Sequence, residues 1–332
     1  MTLLSIPSPD LQYFQIGPIR IYLYALCIIT GIVVAAIITD KRLVKRGGER
    51  GAVIDFTVWS VVLGIVGARI YHVLTHWGDY FGPGANLTEV FAIWNGGIAI
   101  FGALLGGALG VWIASRLTGI RFWSFADALV PGLLIAQAFG RLGNYFNQEL
   151  FGEPTTLPWG LEIAASNPAF PIGLPAGTLF HPTFLYEILW NLAGVALLLM
   201  VEKQLRPRWG QFFAMYLVWY GIGRFWIEGM RLDPSFLFLG LRTNQLAAVL
   251  AVLFGVLIYV AQRERHTGLE ANVYLPGRQD PTRNRLQKTA DPDKFFHVLA
   301  HPNDPSEIDT EFSTGDTSVT APDGAVTPAA TP

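Results

Sequence analysis

An all-α, polytopic membrane protein of about seven transmembrane helices is the fold class that this sequence predicts, on three observations. Of 332 residues, 52% are hydrophobic and only 14% charged, against roughly 25% charged residues in soluble domains. Apolar stretches recur at close to the ~20 residues needed to cross a hydrocarbon core about 30 Å thick. Basic residues gather in alternate connections between those stretches. The formal net charge of −2 decides little, because in a membrane protein the distribution of charge carries the information.

The stretches lie at about 18–39, 52–74, 91–114, 124–146, 183–201, 210–229 and 244–261. The first is too long for a cleaved signal peptide and has no basic region before it. The connection "DKRLVKRGGER" (40–50) holds Lys41, Arg42, Lys45, Arg46 and Arg50, which the positive-inside rule assigns to the cytoplasm. Counting from there, the N terminus is expected outside. Arg116 and Arg121, then Lys203, Arg206 and Arg208, then Arg263 and Arg265, all fall inside, whereas 75–90 and 151–182 carry no Lys or Arg. Seven spans then leave the C terminus cytoplasmic. Residues 1–262 are expected to form the membrane domain, with 151–182, rich in Pro and Gly, as an external loop or cap. Residues 263–332, rich in Pro, Asp, Thr and Ala, are expected to be a disordered cytoplasmic tail, dispensable beyond about residue 268.

Polar residues inside this apolar chain mark the candidate site. If 124–148 is helical, Gln137, Arg141, Asn144 and Gln148 share one face. Tyr220, Arg224, Glu228 and Arg231 form a second such stripe in "YGIGRFWIEGMR" (220–231). Ionisable groups in spans are costly and face the bundle interior, where they mark functional paths; the alternative is a snorkelling Arg141 with amides that only hold helices together. Both stripes are expected near the external leaflet, where the positive-inside rule does not favour arginine. A guanidinium pair there suits a phosphate-bearing headgroup, since the planar fork stays charged and binds phosphate through two donors. "HPTFLYE" (181–187) adds His181, Tyr186 and Glu187, with His181 either a proton acceptor or a structural residue. "GARIYH" (67–72) adds Arg69 and His72, and Tyr24 sits near the outer end of the first span. The single cysteine, Cys27, excludes an intrachain disulfide and reads as buried filler. No Walker loop or dinucleotide fingerprint occurs, so no cofactor and no metal are expected.

These residues resemble the bacterial prolipoprotein diacylglyceryl transferase family. Its signature is similar to G-R-x-G-N-F-x-N-x-E-x-x-G, matched by Gly140, Arg141, Gly143, Asn144, Asn147, Glu149 and Gly152, with Tyr145 in the Phe place. The resemblance extends through Tyr24, "GAR", "WNGGIAIFGALLGG" (94–107), "HPTFLYE" and "YGIGRFWIEGMR" and covers about residues 15–260. It implies a seven-span, cofactor-free enzyme of the bacterial inner membrane with its site toward the external leaflet. Its partners would be phosphatidylglycerol, a prolipoprotein signal peptide bearing a lipobox cysteine, and membrane lipids, with no nucleic acid. The diacylglyceryl group would pass to the lipobox thiol, releasing glycerol phosphate.

On this reading Arg141 and Arg224 stabilise charge on the leaving phosphate, and Asn144, Asn147, Glu149, Gly152, Glu228, Arg231 and Arg69 hold the headgroup. Tyr24, Tyr220 or His181 handles the proton. Many members have a histidine where this chain has Phe101, so either another residue takes the proton here or none of these histidines is the base. An anion or lipid transporter, or a scaffold that binds phosphates without turnover, would show similar stripes.

Overall fold

The computed structural model describes residues 5–266, 268, 270 and 272–278. Its helices are α1 (Leu23–Lys45), α2 (Ala52–Thr75), the single turn and a half of α3 (Trp77–Phe81), α4 (Ile100–Thr118), α5 (Phe122–Asn147), α6 (Thr183–Leu205), α7 (Gln211–Gly229) and α8 (Thr243–Arg265). Six of them are long and apolar enough to cross a membrane. α7 is not among the six, since its 19 residues include Arg224, Glu228 and several Tyr and Trp. It is nonetheless as long as α4 and packs among α5, α6 and α8. The outward faces carry residues such as Ile29, Val33, Ile54, Leu105, Leu250 and Leu257, all exposed, an apolar surface far larger than a water-soluble monomer presents.

The helices pair as α1 with α5, α2 with α4, α5 with α6 and α7 with α8. Lipid tails are as apolar as leucine, so close backbone approach must supply the attraction between helices. Along α4, Gly102, Gly106 and Gly110 recur every fourth residue and are buried against α2. A Cβ placed at Gly106 would lie 2.0 Å from the Leu63 carbonyl oxygen, and one at Gly110 2.3 Å from that of Trp59. Any larger residue there would force the two helices apart.

Three expectations about boundaries need correction. The first span does not begin near 18: residues Tyr13–Ile16 (β1) and Ile19–Tyr22 (β2) form an antiparallel hairpin, turned at Gly17 with φ +58°. The third span does not begin at 91. Residues 87–95 form two 3₁₀ turns, and Gly96 and Gly97 take φ +90° and +74°, a conformation outside any right-handed helix. The third concerns the tail. Most of it lies outside the described residues, but its opening part is packed.

Glu270, Val273 and Tyr274 are buried. Arg121 donates its backbone N–H to the Val273 carbonyl at 2.8 Å, and Leu275 donates to Gly119 at 2.7 Å. Val273 and Tyr274 complete a cluster with Leu43, Phe56 and Phe125 from α1, α2 and α5. A few apolar residues in "EANVYLPG", followed at once by polar sequence, show no periodicity that would reveal this docking. A chain ended after Arg278 keeps these contacts and serves as the reference for unfolding in detergent. One ended after residue 268 loses the Val273 side chain, worth about 1.5–3 kcal/mol of burial, together with Tyr274, and should unfold measurably earlier; equal unfolding of both truncations would overturn this assignment.

Candidate active site

The site is assembled at one end of the bundle, where α5 and α7 finish and α6 and α8 start. α5 stops at Asn147 because Gln148 turns left-handed (φ 51°, ψ 47°), and Leu150 follows at φ +60°. The chain doubles back, and Glu149 donates its backbone N–H to the Asn144 carbonyl at 3.2 Å. The Glu149 carboxylate then accepts hydrogen bonds from the side-chain amides of Asn144 (2.8 Å) and Asn147 (3.2 Å). Asn144 in turn accepts from Arg141 Nη1 at 3.0 Å. This chain of contacts, Glu149 to Asn144 to Arg141, fixes the guanidinium from the C-terminal side of its own helix.

Glu187 of α6 fixes it from across the bundle. Its carboxylate lies 2.5 Å from Arg141 Nε and 3.6 Å from Arg224 Nη1 of α7, so one buried anion holds two cations from different helices side by side. Arg141 spends Nη1 and Nε on Asn144 and Glu187, with no hydrogen bond from Nη2 among the described residues, and Arg224 Nη1 is buried without a hydrogen bond, its nearest carboxylate being Glu187 at 3.6 Å. Both are donors left for an acceptor from outside the chain. Glu228, one turn beyond Arg224, is fully buried. It pairs with Arg224 at 2.8 Å, Arg231 at 3.3 Å and Arg242 at 3.1 Å, and accepts from Asn244 at 3.0 Å. Asp233 closes the network, 2.7 Å from Arg231 and 3.2 Å from Arg242.

Gly152 locks the three chain segments together. It donates its N–H to the His181 carbonyl at 2.9 Å, and Glu153 donates to the Met230 carbonyl at 2.9 Å. A Cβ at Gly152 would sit 2.8 Å from the His181 Cβ and 3.0 Å from the Met230 oxygen, so no other residue fits without movement. Gly143 serves α1 in the same way: a Cβ there would meet the Tyr24 ring at 2.6 Å. Tyr24 thus rests on α5, within electrostatic reach of Arg141 and Glu149.

The structure thus brings Arg141, Asn144, Asn147, Glu149, Gly152, Arg224, Glu228, Arg231 and Tyr24 to one end. Of the other sequence-derived candidates, His181 lies at the same end, against Gly152, but has its own partner, and Tyr220 and Arg69 are engaged elsewhere. His181 Nδ1 lies 3.1 Å from the Tyr186 hydroxyl, which accepts from Trp159 at 3.3 Å. Tyr220 stacks on Tyr216, whose hydroxyl accepts from Gln137 at 2.7 Å. The expected polar stripe of α5 therefore divides: Gln137 serves α7, while Gln148 leaves the helix and donates to the Pro9 carbonyl at 2.9 Å. Arg69 does not join the arginine cluster. It donates to the carbonyls of Val90 (2.8 Å), Gly96 (2.7 Å), Gly97 (3.0 Å) and Glu89, pinning the 87–97 segment.

Four contributors escaped the sequence reading, Asp233 among them. Glu187 stood in "HPTFLYE" without a role, and Arg242 with Asn244 at the start of α8 was passed over. A signal for Arg242 existed, because on the topology expected from the basic connections it too is an arginine at an external span end, where the positive-inside rule disfavours one.

The family model for prolipoprotein diacylglyceryl transferase matches residues 12–261. A phosphatidylglycerol–prolipoprotein diacylglyceryl transferase of Leifsonia xyli subsp. xyli is 56% identical over 307 residues, covering 89% of this chain and 92% of its own length. Proteins of the same name from Mycobacteroides abscessus and Cutibacterium acnes are 45% and 46% identical, covering 85% and 79% of this chain and 82% and 88% of their own lengths.

Proposed function

This chain belongs to the prolipoprotein diacylglyceryl transferase family, and from that premise we propose that it transfers the diacylglyceryl group of phosphatidylglycerol to the lipobox cysteine of a prolipoprotein. The thiolate sulfur attacks the glyceryl carbon that bears the phosphate ester, a C–S thioether bond forms, and the C–O bond to phosphate breaks. The electron pair leaves on the phosphate oxygen as glycerol phosphate departs. Charge thus accumulates on the phosphate in the transition state, and preorganised donors aimed at that charge supply the largest share of such catalysis.

The observation that carries this reading is the Arg141–Glu187–Arg224 bridge. Two guanidiniums held together by one carboxylate, each with a donor unspent, form a receptor for an anion with several oxygens. Asn144 and Glu149 orient Arg141, and Glu228, Arg231, Arg242 and Asn244 brace Arg224. The nucleophile is the substrate's own thiol, activated as thiolate. Of the three proton-handling candidates, Tyr24 is favoured by its seat on Gly143 beside the arginine; His181 and Tyr220 are engaged with other aromatic residues. Phe101 offers no proton-transfer group and lies with its ring 6.1 Å from that of Tyr71. The basic connections at the far end support an orientation with the site toward the external leaflet of a bacterial inner membrane.

The test is turnover of purified protein with phosphatidylglycerol and a lipobox peptide, read as thioether-linked lipid. Wild type and Cys27→Ser are expected to turn over alike and folded Arg141→Ala not at all. An inactive wild type, under conditions where the Leifsonia relative works, would defeat the proposal. A transporter would need the site to open to both ends, whereas these residues gather at one.

A further inference from the structure

A second group of arginines occupies the opposite end of the bundle, where α1 and α6 finish and α7 begins. An open cleft of about 340 Å³ is lined there by Lys45, Arg46, Lys203, Arg206 and Arg208, with Glu202 as its one acidic residue. Glu202 is already engaged, accepting from Arg42 at 2.6 Å and from Arg46 at 3.1 Å. Two further carboxylates lie behind. Asp127 is fully buried, accepts from the backbone N–H groups of Gly210 (3.0 Å) and Phe213 (2.9 Å), and stands 3.8 Å from Arg46 Nη1. Glu270, which accepts from the Ser124 hydroxyl, lies within electrostatic reach of Arg208. Among the described residues, three carboxylates thus face seven cations, counting Arg42 and Arg121, which shares Glu270.

The positive-inside rule accounts for charges in water-facing loops, and exposed Lys45, Lys203 and Arg206 fit it. It does not account for Arg208. Its Nε is buried with no hydrogen-bond partner among the described residues, and Arg46 Nη1 is in the same state. Buried donors are almost always satisfied, and each exception calls for an acceptor. Burial first, and then Arg46 and Arg206 nearby, also hold the Arg208 guanidinium below its usual range. Arg206 and Trp209, neither of them glycine, are both left-handed at φ +46° and +59°, and such backbone persists only where its surroundings hold it.

We propose that this cleft binds a phosphate-bearing anion, either the headgroup of an anionic lipid or a free phosphate, between Arg46, Arg208 and the surrounding lysines. The guanidinium forks match phosphate oxygens, and the lysines add point charges at the rim. Basic pockets between transmembrane helices are a recurring seat for such headgroups. The site stands on its own geometry and on no assumption about the reaction at the other end.

Thermal unfolding of the full chain in neutral detergent tests it, with short-chain phosphatidic acid and inorganic phosphate titrated separately at constant ionic strength. Three proteins are compared: wild type, Arg208→Gln, and the double variant Lys45→Gln with Lys203→Gln, whose side chains are exposed so that folding is preserved. The lipid acid is expected to raise the wild-type unfolding temperature, and both variants should lose at least half of that rise, the remainder being binding at the Arg141 end. A rise with inorganic phosphate that the variants also lose identifies a soluble anion as a ligand; a lipid effect alone identifies the headgroup. Variants that keep the whole wild-type rise with both titrants, or a wild type that responds to neither, would overturn the proposal. Should Arg208→Gln fail to fold, the lysine variant decides alone.

Discussion

Arg141→Lys is expected to lower turnover roughly a hundred- to thousandfold, the range for losing one preorganised donor to a transition-state charge, while the protein still folds. A lysine keeps the positive charge but is a single point donor on a flexible stem. It cannot place one nitrogen 2.5 Å from Glu187 and another 3.0 Å from Asn144 while leaving a third free. Arg141 is about a fifth exposed at its side chain, so stability should change little. The loss should therefore fall on kcat, with an unfolding temperature in detergent close to wild type. Near-normal turnover by the lysine variant would show that charge alone suffices and would remove the two-donor picture of phosphate binding.

Glu228→Ala carries the largest expected effect on stability. The residue is fully buried and pairs with Arg224, Arg231 and Arg242 together. Breaking a buried ion pair by removing one partner typically costs about 3–5 kcal/mol, because the other charge is left uncompensated. Here Arg224 would keep only Glu187 at 3.6 Å, Arg231 and Arg242 would share the Asp233 carboxylate alone, and Asn244 would lose its acceptor as well. The variant should yield little folded protein, and what folds should unfold well below wild type. Glu228→Gln, which keeps the shape and an acceptor oxygen, should fall between the two. Wild-type unfolding of Glu228→Ala would mean that the cluster is solvated and that its arginines need no internal counter-ion.

Much of this arrangement was legible in the chain, and what escaped did so for identifiable reasons. The helices announce themselves because a bilayer admits few alternatives to long apolar runs. Arg141 and Arg224 announce themselves because a charge inside such a run must have a purpose. Periodicity could place each on a face of its own helix but could not show that Glu187 joins them, since that contact depends on how α5, α6 and α7 are rotated against one another. Arg69 was misleading for a related reason. It has the chemistry of a headgroup ligand, yet the backbone carbonyls of residues 89–97 claim it, and carbonyls are invisible in a residue code. The hairpin before α1 and the docking of Val273 and Tyr274 were lost because short segments carry too little pattern to stand out from apolar or polar neighbours.

That last segment sets a constraint in time. Phe56 and Phe125 stack at 3.9 Å between ring centroids, yet their cluster is closed by Val273 and Tyr274, roughly 150 residues beyond Phe125 and more than 200 beyond Phe56. At a synthesis rate of about 5–20 residues per second, α5 waits roughly 7–30 seconds, and α1 and α2 roughly 11–46 seconds, for the residues that cover them. The ends of α1, α2 and α5 therefore remain uncovered on a nearly complete chain, and the bundle is sealed at that end by one of the last of its pieces to be made.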